Sequence, residues 1–252
     1  MAKKKIKISE EQLLITDEGE IIKAKALLHH KYNLLQWTDT YHSASISNIV
    51  QSKEDLVLIG GAQGRTIRCS ADTKFLPLTS EPDTKEIDYT LKGSENSALV
   101  SRYLPLYGSI HLSEKEIDYI KSSISNIQGK RPNSYLVQRI PLYLSKLNEV
   151  SLRKIIKYIF KSKRVQHLDQ DSKDLLIMLL SRLGIYFDGQ TKHKSTNITG
   201  TIELIKSMTN ISTKPTKKES IRFIKSYTDN ALELTFKDSG CFLIGSFLCP
   251  IA

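Results

Sequence analysis

The alternation of apolar and polar residues predicts a small sheet in the first third of the chain. Residues 55–61 form an apolar run that ends in two glycines, which is typical of a buried strand. Residues 64–74 alternate apolar and polar side chains like a half-buried strand, so the glycine-rich stretch between the two runs is expected to be a hairpin loop. A third strand is predicted over 86–92, and a helix over 21–37 is expected to precede the sheet.

Helical periodicity dominates the rest of the chain. Ser113 and Glu116 have the spacing of a capping box, and they predict a helix that runs to about residue 127. Pro141 predicts the start of a short helix. The pattern also predicts helices over 151–164, over 172–183 with Gly184 as the stop, and over 217–231. Alternation over 232–236, a turn at 238–240 and an apolar run over 241–248 predict a terminal hairpin.

These elements predict an α+β fold with a small, mostly antiparallel sheet, since the strand–helix–strand alternation of a doubly wound fold is absent. Three regions follow from the pattern. Residues 1–112 hold the N-terminal helix and the sheet, residues 113–190 are helical and basic, and residues 191–252 hold a C-terminal helix and the hairpin. A single domain that contains all three regions is equally compatible with the sequence.

The distribution of charge along the chain predicts the class of partner that the protein binds. The 252 residues include 37 Lys and Arg against 27 Asp and Glu, and the net charge is +10. Nearly all of the surplus lies in residues 113–165, where 12 basic residues face 4 acidic ones. A concentrated surplus of this kind favours a polyanionic partner, nucleic acid first and an anionic membrane surface second.

The predicted helix over 151–164 organises part of this charge. Lys154, Lys157, Lys161 and Arg164 recur at the spacing of one helix face, and an apolar face of Leu152, Ile155, Ile156 and Ile159 is expected to be buried. A solvated basic face is the alternative interpretation. The residues predicted to bind nucleic acid are Lys130, Arg131, Arg139, Lys154, Lys157, Lys161, Lys163 and Arg164.

Two carboxylates and a lysine on the predicted strands could carry metal chemistry. Asp55 begins the first strand, and Asp72 and Lys74 end the second, where alternation turns both toward the same side. Two carboxylates suit Mg²⁺, and a lysine can orient or help to deprotonate a water. Asp55 and Asp72 are therefore predicted metal ligands, and Asp55, Asp72 and Lys74 predicted catalytic residues. Surface charge at strand ends is the alternative.

The stretch from Asp55 to Lys74 resembles the PD-(D/E)xK nuclease superfamily, which includes many restriction endonucleases. It departs from that pattern in having Glu54 where proline is usual and Asp72 where glutamate is commoner. A second register through Asp83 and Lys85 also fits. The resemblance implies a Mg²⁺-dependent endonuclease that would use the basic helices to position DNA.

Three classes of function follow. The first is a Mg²⁺-dependent DNA endonuclease of restriction type, with DNA favoured over RNA. The second is a non-enzymatic nucleic-acid coat or packaging protein of viral nucleoprotein type, and a homo-oligomer suits either class. The third is a protein whose basic face docks an acidic protein.

Cysteine usage and hydrophobicity bear on where the protein works. Cys69, Cys241 and Cys249 are odd in number and widely spaced, so neither a zinc ribbon nor a disulfide framework is indicated. A reducing compartment is expected, which means the cytoplasm, or the inside of a viral particle if the protein is a coat protein. No apolar stretch is long enough to cross a bilayer, and the apolar face of the basic helix suits a protein core better than a membrane surface, so no membrane partner is predicted.

Overall fold

The computed structural model describes residues 4–37, 41–61, 64–75, 97–101, 107–126, 140–161, 169–185 and 216–251. The chain divides into two compact units. The β unit joins Met1–Arg102 to Lys214–Ala252, and the helical unit is Tyr103–Thr213. The helical unit is therefore an insertion in the sequence of the β unit. The predicted α+β class is confirmed, with an antiparallel sheet and three α-helices in the described residues.

Antiparallel strands build the β unit, and the described strands form one ten-stranded sheet. A short 3₁₀ helix, Ala24–Leu28, follows the third strand. The strands are β1 (Lys5–Ser9), β2 (Leu13–Ile15), β3 (Ile21–Lys23), β4 (Asn33–Trp37), β5 (Tyr41–Gly61), β6 (Thr66–Cys69), β7 (Ser97–Ser101), β8 (Thr216–Phe236), β9 (Gly240–Ile244) and β10 (Phe247–Ile251).

The pairing of β5 with β8 is the axis of this sheet. The two strands are 21 residues long, and their register runs from Ile46 opposite Phe236 to Gly61 opposite Ile221. Shorter strands pair at their ends: β4 and β6 with β5, β1 and β7 with β8. The β5–β8 pair, here called the ribbon, therefore holds strands from both ends of the chain.

Apolar side chains from many strands fill the core of the β unit. Ile8, Ile59 and Leu232 are completely buried, and they come from β1, β5 and β8. Aromatic pairs extend this core: the ring centroids of Phe236 and Phe242 are 3.9 Å apart. Burial of these side chains is the main stabilising contribution to the sheet.

Two predicted helices are wrong, because both segments are paired in the sheet. Residues 21–37 form β3, the 3₁₀ helix and β4, and residues 217–231 lie within β8. The second segment has the apolar spacing of a helix, but its β-branched and aromatic residues also suit a strand, and β5 supplies a partner for most of its length. Tertiary pairing therefore overrides the local periodicity.

The other strand predictions have mixed outcomes. The strand over 55–61 is confirmed as the end of β5, and the hairpin to β6 is confirmed by their antiparallel pairing. The terminal hairpin joins β9 to β10, whereas the sequence predicted β8 as the partner of this return strand. The predicted strand over 86–92 lies outside the described residues.

Three α-helices lie in the described part of the helical unit: α1 (Glu114–Asn126), α2 (Glu149–Lys161) and α3 (Gln170–Arg182). A 3₁₀ helix, Leu142–Lys146, precedes α2 and begins after Pro141, as predicted. None of the described helices is long and apolar enough to cross a bilayer.

Local capping explains where these helices begin. The backbone N–H of Ser113 donates to Glu116 Oε2 at 2.7 Å, and the N–H of Glu116 donates back to Ser113 Oγ at 3.4 Å, so the predicted capping box is confirmed. Asp169 caps α3 by accepting from the N–H of Ser172 at 2.8 Å. Gly184 follows α3 with φ of 70°, a conformation that glycine adopts without strain.

The apolar face of α2 is buried as predicted, with Leu152, Ile155, Ile156 and Ile159 all at most 2% exposed. The helix packs against α1, and the N–H of Leu112 donates to Ser151 Oγ at 2.9 Å where they meet. Arg182 of α3 is buried and donates to the Ser145 carbonyl at 2.7 Å. The described helices and the 3₁₀ helix therefore share one packed unit.

The register of β7 against β8 generates a prediction about the insertion. Ser101 pairs directly with Thr216, so the strands that border the inserted segment are neighbours across a ladder, about 5 Å apart. Replacing residues 102–215 with Asn-Gly, which favours a two-residue hairpin turn, should leave a folded β unit. We expect a soluble protein with a cooperative urea transition and the circular dichroism of a sheet.

A matched control deletes residues 97–220, which removes β7 and its partner segment of β8 together. This shorter chain should lose the cooperative transition. If the chain that lacks only residues 102–215 also unfolds without cooperativity, the β unit depends on the helical unit for its stability.

Candidate functional site

Asp72 and Lys74 lie in the turn that follows β6. Two backbone hydrogen bonds fix this turn: the N–H of Ser70 donates to the Lys7 carbonyl at 3.0 Å, and the N–H of Thr73 donates to the Ser70 carbonyl at 3.2 Å. Thr73 is buried, whereas Asp72 and Lys74 on either side of it are exposed. The turn therefore directs both predicted site residues toward the surface.

Lys7 of β1 is the centre of an ion cluster close to this turn. Its ammonium donates to Glu54 Oε1 at 3.0 Å, and this hydrogen bond raises the pKa of Lys7 against the opposing effect of partial burial. The carboxylates of Glu233 and Asp72 act on the pKa of Lys7 in the same direction. The pKa of Glu54 is lowered by the hydrogen bonds from Lys7 and Ser52. The structure thus groups Asp72 with Glu54 around one lysine.

Asp55 makes a different contact. Its carboxylate accepts a hydrogen bond from Thr228 Oγ1 of β8 at 2.7 Å. Because successive strand residues point to opposite faces, Asp55 and Glu54 are directed away from each other. Within the described residues, no group of three or more His, Cys, Asp and Glu side chains could hold a metal ion.

The three cysteines are buried free thiols in the β unit. Burial raises the pKa of Cys69 and of Cys241 to about 12, and it raises the pKa of Cys249 well above its ordinary value. The thiolate is the reactive form of cysteine, and near neutral pH these groups stay protonated. They are therefore suited to packing rather than to nucleophilic chemistry.

Ion pairs with carboxylates partly neutralise the predicted basic face of α2. Lys154 forms an ion pair with Glu114 of α1, and Arg153 pairs with Glu149 at 2.7 Å. Lys157 is exposed and has no ion pair with a carboxylate among the described residues. The helix includes Lys161 at its end. Lys130, Arg131, Arg139, Lys163 and Arg164 lie outside the described residues.

Two exposed tyrosines and two lysines form a second surface feature, here called the tyrosine–lysine patch: Lys115, Tyr119, Tyr143 and Lys146. Tyr119 of α1 is 75% exposed, and Tyr143 of the 3₁₀ helix is 45% exposed. Partial burial raises the pKa of Tyr143, and the Tyr119 hydroxyl is close enough to raise it further. Lys115 lies four residues before Tyr119 on α1, and Lys146 three residues after Tyr143, so each lysine shares a face with its tyrosine.

Close backbone packing fixes the 3₁₀ helix that carries Tyr143. A Cβ at Gly108 would lie 1.9 Å from the carbonyl oxygen of Lys146, so the two backbones meet where only glycine fits. The N–H of Ile110 donates to the same oxygen at 3.0 Å, and the N–H of Asn148 donates to the Ile110 carbonyl at 2.8 Å. This segment leaves Ile110 and Val150 exposed at 44% and 52%.

Sequence reasoning missed most of the tyrosine–lysine patch. The charge pattern marks neither Tyr119 nor Tyr143 as an exposed residue, and it does not set Lys115 apart from the other basic residues. A signal for Tyr119 exists, because it lies on the opposite side of α1 from the buried Ile117 and Ile120. An aromatic residue on the polar face of an amphipathic helix belongs to the surface of the helical unit rather than to its core.

Comparison with known proteins gives structural neighbours alone. No known family and no curated protein matches the sequence. The Ssp DnaB mini-intein variant M86 matches at 12% identity with a TM-score of 0.48, covering 100% of this chain and 96% of that chain. A DnaB intein from Synechocystis sp. PCC 6803 matches at 12% identity with a TM-score of 0.46, covering 98% and 99%. The TvoVMA intein matches at 10% identity with a TM-score of 0.46, covering 98% and 97%.

These neighbours contradict the predicted function. They are inteins, and they include neither a restriction-type nuclease nor a nucleic-acid coat protein, so the predictions of a Mg²⁺-dependent endonuclease and of a coat protein are wrong. TM-scores below 0.5 assign neither a shared fold nor a shared activity.

Buried, protonated thiols lead to a prediction about reactivity. At pH 8 the folded protein should react with a disulfide reagent such as Ellman's reagent far more slowly than the urea-unfolded chain, because the thiolate is scarce and shielded. The measurement is the absorbance of released thionitrobenzoate over time. Rapid reaction of one thiol in the folded protein would show that its cysteine is open to solvent.

The contact at Gly108 leads to a prediction about stability. Gly108→Ala should lower the free energy of unfolding by about 2 kcal/mol, because the added methyl group overlaps the Lys146 carbonyl and the backbone must shift. Urea denaturation measures this loss. Ser109→Ala at the exposed neighbouring position should change the free energy by less than about 0.5 kcal/mol. Equal effects of the two substitutions would mean that the close approach is not maintained in solution.

Proposed function

We propose that the protein is a non-enzymatic binding module whose helical unit docks an acidic protein. The observation that carries the proposal is the distribution of exposed apolar side chains. Of the six large apolar residues that are exposed in the described part of the chain, four belong to the helical unit: Ile110, Tyr119, Tyr143 and Val150. Exposed tyrosine side chains suit a protein interface, because aromatic residues are enriched there.

Charge supports an acidic partner. The sequence places ten basic residues and one acidic residue between positions 130 and 164. Lys115 and Lys157 are exposed on the described helices. Charge complementarity across an interface raises the rate of association and selects the partner, while apolar contacts supply much of the affinity. A surface that combines lysines with exposed tyrosines therefore fits a protein that offers both carboxylates and apolar side chains.

The β unit has the role of a scaffold in this proposal. Its thiols are buried and protonated, and the ion cluster at Lys7 consists of paired charges. Buried thiols and paired charges contribute to the packing and stability of the β unit. The chain enters and leaves the helical unit next to paired strands, as the register of Ser101 with Thr216 shows.

Fluorescence anisotropy with two labelled probes tests the proposal. One probe is a peptide of alternating Glu and Leu, and the other is a DNA duplex of similar total charge. At an ionic strength of about 0.15 M, where exposed charges are largely screened beyond about 8 Å, the peptide should bind more tightly than the duplex. Lys157→Glu should weaken the peptide complex about fivefold, which corresponds to about 1 kcal/mol.

The matched control is Lys31→Glu, the same charge reversal at an exposed lysine of the β unit, and it should leave peptide affinity nearly unchanged. Equal weakening by both reversals would mean that net charge alone drives binding. A duplex that binds as tightly as the peptide would overturn the proposal and would favour nucleic acid as the partner.

A further inference from the structure

We propose that the open edge of β5 is an interaction surface, and that its occupant is the same edge of a second copy of this chain, paired in antiparallel orientation. The edge belongs to the ribbon of the β unit, so this inference is independent of the proposed docking by the helical unit. It is carried by the strand pairing, by the exposure of the side chains and by the charge pattern along the strand.

The middle of β5 has a partner strand on one edge only. β4 pairs with residues 41–45 and β6 with residues 57–60, and over 46–56 the partner of β5 in the described part of the chain is β8 alone. Exposed side chains alternate between the two faces of the ribbon beside the open edge: Ser47, Asn48, Val50 and Gln51. The edge therefore presents a row of backbone N–H and C=O groups to solvent, which is a template for another strand.

The charge pattern distinguishes this edge from the other edges that the structure describes. Residues 43–52 contain no Lys, Arg, Asp or Glu, in a chain of which 25% is charged. β8 also has β5 as its one described partner strand over 221–229, but that stretch carries Lys225 and Asp229, and charged side chains on an edge disfavour pairing with another chain. β3, at the end of the sheet, is only three residues long. The edge of β5 is therefore the long edge that is least protected by charge.

A second copy of β5 matches this edge in length and in charge. Gln51 is the midpoint of 46–56, so a two-fold axis at Gln51 overlaps the two open edges fully. In the antiparallel pair that this axis generates, the charged residues 53–55 of one copy lie opposite the uncharged residues 47–49 of the other, and no like charges meet. Each copy closes the open edge of the other in one four-stranded arrangement, β8–β5–β5–β8.

Two features set the strength of this contact. Nearly all of the positive surplus lies in residues 113–165, outside the ribbon, so the ribbon itself adds little repulsion between copies. The register of β5 against β8 shifts between Ile46 and Asn48, and this irregularity limits the length of the shared ladder. A pair of short strand segments makes a small interface, and we expect a weak dimer that depends on protein concentration.

Light scattering coupled to size-exclusion chromatography tests for the dimer with the full chain. Between about 2 and 200 μM the mass should rise from 28.6 kDa toward twice that value. Val50→Lys removes an apolar side chain that is 45% exposed and brings two lysines together across the axis, so it should weaken the dimer about fivefold. Ser226→Lys adds the same charge at an exposed position of β8 and should leave the dimer nearly unchanged.

Disulfide trapping tests the axis. Opposite residues of an antiparallel pair have Cα atoms about 4.5–5.5 Å apart, which suits a disulfide, so Gln51→Cys should form a covalent dimer under mild oxidation. Asp55→Cys is the matched control on the same strand: its own copy is eight residues away along the ladder, about 27 Å, and it should cross-link at least about tenfold more slowly. The native thiols are buried, so the unaltered chain gives the background rate.

Each outcome decides the proposal. A constant mass of 28.6 kDa at every concentration overturns it and leaves the edge to solvent or to a strand of another protein. Equal cross-linking of Gln51→Cys and Asp55→Cys, or equal weakening by Val50→Lys and Ser226→Lys, overturns the edge as the contact. Circular dichroism checks the fold of each variant, and if Val50→Lys does not fold, the two cysteine variants decide. A dimer that Gln51→Cys traps and Asp55→Cys does not supports the proposal.

Discussion

The pairing of β5 with β8 is the constraint on which the rest of the β unit depends. It joins residues 46–61 to residues 221–236, two segments that are separated by the whole helical insertion. Each shorter partner strand, β1, β4, β6 or β7, is placed by the part of this ribbon that it joins. Lys7 reaches Glu54, and Ser9 reaches Asp229, because β1 lies against this ribbon. Loss of the ribbon would therefore remove the ion cluster and the core together.

Local signals predicted the helical unit well and the β unit poorly. The capping box at Ser113, the stop at Gly184 and the buried face of α2 all depend on residues within a few positions of one another, so a pattern in the sequence could identify them. The helix predicted over 217–231 is wrong because its conformation is decided by β5, far away in the chain. Periodicity alone does not distinguish an amphipathic helix from a strand with a distant partner.

The candidate sites show the same division. Sequence spacing placed Asp72 and Lys74 on one side, and the structure exposes both. The sequence could not show that Glu54 rather than Asp55 shares a lysine with Asp72, since that depends on which of the two carboxylates lies on the same side of the sheet as Lys7. Charge density identified the basic segment, but the ion pair of Lys154 with Glu114 depends on the packing of α2 against α1. The tyrosine–lysine patch depends on how the segment around Gly108 approaches Lys146, a contact with no sequence motif.

The direct pairing of Ser101 with Thr216 has a consequence for the order of folding. To form that pair in an otherwise unfolded chain, the whole segment from 102 to 215 must close as a loop, at an entropic cost of roughly 4 kcal/mol. A helical unit that becomes compact first shortens the effective loop and lowers this cost. Its helices are local structures that form quickly, whereas long-range strand pairing is slow. If the insertion folds before the strands pair, the pair between Ser101 and Thr216 therefore forms at a lower entropic cost.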